Sequence, residues 1–142
     1  MGFSLSATTA IIGVSILLAI ELIVSTTIPT VTDIHDSYDK MRERSIDRLQ
    51  TDINITSTGI SDNGSNYDLN ITVKNIGSTT LETKDFNILI NGSIQDFSCK
   101  TSFLYPKNKV NFNIYNLPGT GLRRLKVVTN NAISDYQTYI IT

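Results

Sequence analysis

The chain has 142 residues and a formal net charge of −1, so it has room for one globular domain and no basic footprint for nucleic acid. Its single cysteine, Cys99, excludes an intrachain disulfide and fits a small buried hydrophobe. The 13 Asn, 14 Ser and 18 Thr suit an exposed β-surface better than a helical enzyme.

Between Phe3 and Ile28 the only charged residue is Glu21. An apolar run of this length is enough to cross the hydrocarbon of a bilayer as a helix. A cleaved secretory signal would need a positive n-region, which is missing here. Met1-Gly2-Phe3-Ser4-Leu5-Ser6 fits the short acylation pattern, but a chain with its own span needs no acyl anchor. Gly2-Phe3 superficially resembles a prepilin junction, yet no Lys or Arg precedes it, and Ala7 stands where a pilin glutamate is expected. Residues 1–29 therefore read as a permanent signal anchor. Glu21 lies near the far interface of such a span, where the cost of a carboxylate falls. It reads either as an interfacial or protonated group or as a pairing partner for another membrane protein.

Pro29 can kink or end that helix. Beyond it, Val31, Ile34, Tyr38 and Met41 recur on one helical face, which gives a stalk over residues 30–50. The stalk lies either on its own domain or against a partner's stalk. Lys40, Arg42, Arg44 and Arg48 follow the span, so the positive-inside rule taken alone puts the C-terminal side in the cytoplasm.

Residues 51–142 read as short alternating strands. Ile53 and Ile55 begin them, and Tyr67, Leu69, Ile71 and Val73 alternate with polar residues. Phe86–Ile90 runs into Asn91-Gly92, the signature of a type I′ hairpin, so Ser93–Ser98 is expected to pair back. Val110, Phe112 and Ile114 form another strand, and Leu117-Pro118-Gly119-Thr120-Gly121 breaks the chain. Two strands, 122–129 and 133–141, close the domain around Asn130-Asn131. Seven strands with turns between them predict an immunoglobulin-like antiparallel β-sandwich. The fold class is thus mainly β, with an N-terminal transmembrane helix and stalk.

No catalytic, cofactor or metal-binding constellation is found. His35 stands on the stalk and reads as solvated. Asp62, Asn63, Asn66 and Asp68 lack the spacing of a calcium loop and read as a polar turn. Arg123-Arg124-Leu125-Lys126 reads as a solvated strand edge or as a contact with an acidic partner. Four N-x-[ST] sequons, at Asn54, Asn63, Asn70 and Asn91, permit a glycosylated surface.

The opening Met1-Gly2-Phe3-Ser4-Leu5-Ser6-Ala7-Thr8-Thr9-Ala10-Ile11 resembles the start of the archaeal flagellar (archaellum) protein F family. So does the block Ile71-Thr72-Val73-Lys74-Asn75-Ile76-Gly77-Ser78-Thr79-Thr80-Leu81, which leads to Phe86–Ile90 and Asn91-Gly92. The resemblance implies a non-enzymatic, single-pass protein of the cell membrane without a cleavable leader. Its sandwich would lie between membrane and S-layer. It would bind S-layer protein, partner with the protein G type archaellum subunit and act as a stator. This orientation overrides the charge rule. A homo-oligomer through edge strands is compatible with it. The alternatives are a filament subunit of an archaellum or pilus, and a membrane-tethered glycan-binding module. For the last, Tyr136 and Tyr139 offer little, because they fall on opposite faces of one strand.

Overall fold

A computed structural model of the protein describes residues 2–141, with side chains from 5 to 141. The chain falls into two compact units, Met1–Glu43 and Arg44–Thr142.

Helix α1 spans Gly2–Gln50 and passes through Pro29 rather than ending there. The hydroxyls around the proline bond back to the helix itself. Thr26 and Thr30 donate to the carbonyls of Leu22 and Thr26 at 2.8 and 2.7 Å, and Thr32 donates to Ile28 at 3.1 Å. Thr9 and Ser15 bond back to Leu5 and Ile11 in the same way. In an apolar environment, such local bonds satisfy hydroxyls that would otherwise carry a desolvation cost. The apolar side chains of the span are solvent-accessible, as are Val31, Ile34, Tyr38 and Met41.

Among the described residues the second unit is a β-sandwich of ten strands rather than seven. The strands are β1 (Ile53–Asn63), β2 (Asn66–Asn75), β3 (Leu81–Glu82), β4 (Asn87–Ile90), β5 (Ser93–Gln95), β6 (Ser98–Cys99), β7 (Phe103–Leu104), β8 (Lys109–Pro118), β9 (Gly121–Val128) and β10 (Ser134–Ile141). Sheet one has the order β1-β2-β8-β6 and sheet two the order β10-β9-β4-β5, and β3 and β7 form a small ladder of their own. All pairings are antiparallel.

The period-two alternation dictates the core. Leu69, Ile71 and Val73 of β2 point inward, as do Phe112 and Ile114 of β8, Ile88 and Ile90 of β4, and Leu125 and Val127 of β9. Phe112 sits at the centre, with its ring centroid 5.1 Å from both Phe86 and Phe97. Asn91 and Gly92 adopt φ of 50° and 88°, the two positive angles that a type I′ turn requires.

Three expectations need correction. Only Ser93–Gln95 pairs back on β4, because the chain then crosses to sheet one, where Ser98 and Cys99 pair with β8. Cys99 is half-buried, packed against the core rather than inside it. The Arg123–Lys126 stretch is no edge, since β9 lies between β10 and β4.

Phe112→Ala is expected to cost about 3–5 kcal/mol, as a large cavity opens between the sheets. Gly92→Ala should cost only about 1–2 kcal/mol, the penalty of a left-handed backbone. A Cβ there would meet nothing within 4 Å, so the second cost is purely conformational. Urea denaturation of the detergent-solubilised chain, followed by circular dichroism, measures both.

Candidate functional site

The first functional feature is a clamp where α1 ends. The last carbonyls of a helix have no partner within it. Here Ser78 N–H donates to the Gln50 carbonyl at 2.8 Å, and the N–H groups of Ile76 and Gly77 both donate to the Asp52 carbonyl at 3.0 Å. A Cβ at Gly77 would collide with the Gln50 carbonyl oxygen and the Asp52 nitrogen, so only glycine permits this approach.

Asn75, fully buried at the end of β2, holds the loop in place. Its Nδ2 donates to the carbonyls of Thr79 and Leu104 at 2.7 and 3.1 Å, and its Oδ1 accepts from Gly77 N–H at 3.0 Å. Thr51 extends the network: its hydroxyl donates to the Asp47 carbonyl, lies 3.2 Å from the Thr79 hydroxyl, and accepts from Asn131 Nδ2. One end of the sandwich is thereby bonded to the end of the helix.

The outer faces of the two sheets differ in chemistry. On sheet one several outward Asn and Thr side chains bond to one another, beside the facing lysines Lys74 and Lys109. Asn70 donates to Asn113, Thr72 donates to Asn111 at 2.9 Å, and Asn66 donates to Asn116 at 2.7 Å. On sheet two, strand register aligns Ile94, Leu89, Lys126 and Tyr136 in one row across all four strands. The next rows pair Arg124 with Thr138 and Leu122 with Ile140. Leu122, Tyr136, Ile140 and Ile94 are 68%, 55%, 63% and 69% exposed. Lys126 Nζ stands 5.0 Å from the centre of the Tyr136 ring. That phenol is held below its usual pKa by hydrogen bonds from Lys126 and Ser134 and by the charges of Lys126 and Arg124.

Between the sheets, Tyr67 and Tyr139 share a hydroxyl–hydroxyl bond of 2.9 Å. Burial, and then the bond to Tyr67, push the Tyr139 phenol well above its usual pKa. Arg123 turns to this end of the sandwich, over Gly119, and its Nη2 reaches the Pro118 carbonyl at 3.5 Å.

A family model for archaeal-type flagellins matches residues 2–141. The chain belongs to the archaeal-type flagellin family. No curated protein matches it. The family is structural and non-enzymatic, and membership makes this an archaellum-related protein whose N-terminal apolar helix is compatible with a single-pass membrane anchor.

The structure of this archaeal-type flagellin places the sequence-derived residues as follows. Glu21 is exposed on α1 within the apolar run, and His35 lies 3.5 Å from Asp39 one turn on. Asn54 and Asn63 are exposed on β1. Asn70 is half-buried and engaged with Asn113, and Asn91 accepts a bond from Arg124 N–H at 2.9 Å through its side-chain oxygen. Asn66 and Asp68 are spent on Asn116, whose φ of 60° marks the irregular register between β2 and β8. Among the described residues, no group of three or more His, Cys, Asp or Glu gathers where it could hold a metal ion. The clamp was not read from the sequence, and of the sheet-two face only the Arg123–Lys126 cluster was, as a solvated edge or a contact with an acidic partner. The glycine within the Asn75–Leu81 block and the Leu122/Arg124/Lys126 alternation were their signals.

Tyr139 sets an alkaline limit on stability. Above about pH 10 an unfolded tyrosine releases its proton, whereas the folded Tyr139 keeps it. The unfolded state then binds fewer protons, so stability is full below that pH and falls as pH rises, by up to about 1.4 kcal/mol per pH unit for one proton. Denaturant midpoints measured between neutral and strongly alkaline pH should show this decline, and Tyr139→Phe should make it shallower.

Proposed function

We propose that this chain is an anchoring, stator-type component of the archaellum. Its N-terminal helix (residues 1–29) sits in the cell membrane, residues 30–50 form the stalk, and the sandwich of residues 51–142 lies outside, between membrane and S-layer. There it binds S-layer protein and works with a protein G type subunit to support swimming. The observation that carries this reading is the clamp. A part that resists torque must pass load from its membrane helix to its gripping domain without a free hinge. The loop binds Gln50 and Asp52 through backbone donors of residues 76, 77 and 78, all within the unit Arg44–Thr142. Family membership and the apolar helix support the setting.

The test separates grip from load transfer. Asn75→Ala removes a buried side chain bonded to two carbonyls and one N–H, which should destabilise the junction by about 3 kcal/mol in sum. Cells carrying it are expected to assemble filaments and keep S-layer binding of the full-length protein, yet to swim poorly. Normal swimming by cells lacking the protein altogether would sink the anchoring role.

Glu21 is proposed to pair with a polar group of a neighbouring membrane subunit. Glu21→Gln should lower co-purification of that subunit from detergent extracts and leave S-layer binding unchanged. Unaltered co-purification assigns the carboxylate to the interface instead.

A second reading, a filament subunit, is favoured by the exposed seam Val31, Ile34, Tyr38 and Met41, which continues the apolar span along one helix. Mass spectrometry of the native N-terminus and labelling of filaments discriminate. A processed N-terminus and uniform labelling along filaments support the subunit, and labelling confined to the cell envelope supports the anchor.

A further inference from the structure

We propose that the outer face of sheet two is the docking site for an acidic protein surface, an inference that rests on the anchoring role and names the chemistry of its grip. The outward positions of β4, β5, β9 and β10 include Leu89, Ile94, Leu122, Arg124, Lys126, Tyr136 and Ile140, and no carboxylate is among them. Neither cation pairs with a carboxylate among the described residues. The Tyr136 phenol, held below its usual pKa chiefly by hydrogen bonds from Lys126 and Ser134 and then by the charges of Lys126 and Arg124, lies among these cations. Charged residues on an ordinary solvated face come in both signs. Two cations framed by exposed apolar side chains are complementary to carboxylates framed by apolar side chains.

Three occupants compete for such a face. A second copy docked face to face would use the same patch on both sides. Arg124 and Lys126 would then meet Arg124 and Lys126 with no anion between them, which is repulsive. A bilayer is poorly matched as well. The face offers only two outward cations, and it is not flat: a depression of about 780 Å³ is lined by residues that include Leu89, Leu122, Arg124, Lys126 and Tyr136. Such a hollow seats a protruding side chain, which a protein presents and a lipid surface does not. The outer face of sheet one is a poorer match: its Asn and Thr side chains bond to one another, and its outward cations Lys74 and Lys109 share the face with a carboxylate, Asp68.

The experiment uses the full-length protein in cells that swim. A photo-activated benzophenone side chain replaces Leu122 in one strain and Thr72, on the opposite outer face, in another. The same chains, with and without Arg124→Glu plus Lys126→Glu, are also purified in detergent and titrated onto isolated S-layer sheets. The Leu122 site is expected to cross-link one protein at a carboxylate-rich segment, and the Thr72 site not to. Charge reversal should lower both the yield and, where the lattice is the partner, the affinity by at least about tenfold. Arg124→Gln plus Lys126→Gln, a milder change, should produce a smaller loss in the same direction. Circular dichroism matching the parent chain certifies folding. An adduct with a second copy, an adduct with lipid, no adduct, or a yield indifferent to charge reversal would each overturn the docking site. A carboxylate-rich adduct other than S-layer protein keeps the docking site and removes the S-layer from the proposed function. Full lattice binding by the reversed chain, with no adduct, does the opposite.

Discussion

The junction between the end of α1 and the sandwich depends on one close backbone approach, that of Gly77 to residues 50–52. The approach needs a residue without a Cβ, and it needs a partner that fixes the loop once the glycine has made room. Asn75 is that partner. A buried amide left unsatisfied costs more than a satisfied one contributes, so an asparagine at this depth is tolerated only with its bonds made. Its side chain makes three, to residues 77, 79 and 104, and its backbone bonds to the turn before β8 through Asn108 and Lys107. The helix terminus, the end of β2 and the start of β8 are therefore located by one residue. Gln50 and Asp52 are joined to β1 by the chain and to β2 through the loop, and β2 pairs with β8 along a long antiparallel ladder.

That arrangement divides labour between the sheets. Sheet one receives the helix and shows solvent a ladder of Asn and Thr side chains bonded to each other, which leaves few groups for a partner to recruit. Sheet two is joined to it by the shared core and by an edge bond, Ile55 N–H to Asp135 Oδ2 at 2.7 Å. It carries the exposed apolar and basic rows. The domain thus has one outer face dominated by Asn and Thr side chains bonded to each other and one on which exposed apolar side chains surround cations with no carboxylate. Contiguous apolar surface on a soluble face marks contact sites, whereas scattered residues do not.

Much of this was legible from local sequence and some was not, for definite reasons. The anchor helix follows from composition, β2 from strict alternation, and the β4–β5 turn from Asn91-Gly92, because each signal lies within a few residues. Strands β3, β6 and β7 are two residues long and carry no period at all. The Ser93–Ser98 segment reads as one strand, but whether it stays in its sheet depends on what lies across the core, where Phe97 packs edge-on to Phe112. The Arg123–Lys126 cluster reads as an edge because strand order is a non-local property. The block Asn75-Ile76-Gly77-Ser78-Thr79-Thr80-Leu81 carried the family resemblance without revealing its reason. Its contacts are to residues 50–52, more than twenty positions away, and no periodicity encodes them.

On the proposed reading, the grip need not be tight at any one site. A face built on parts of four strands, with two cations and a few apolar side chains, is smaller than a standard interface, so a single contact with a lattice protein would be weak. Two circumstances raise its effect. A membrane anchor confines the domain to the layer its partner occupies, so each encounter is governed by effective concentration rather than bulk concentration. A lattice also repeats the same site, so anchors arrayed around one motor engage many copies at once, and avidity multiplies without any new contact. What such a device cannot tolerate is slack between anchor and grip, because a hinge there lets every weak contact be peeled in turn. The physical demand therefore falls on the Asn75–Gly77 junction more than on the affinity of the face, and there a fully buried asparagine makes three hydrogen bonds.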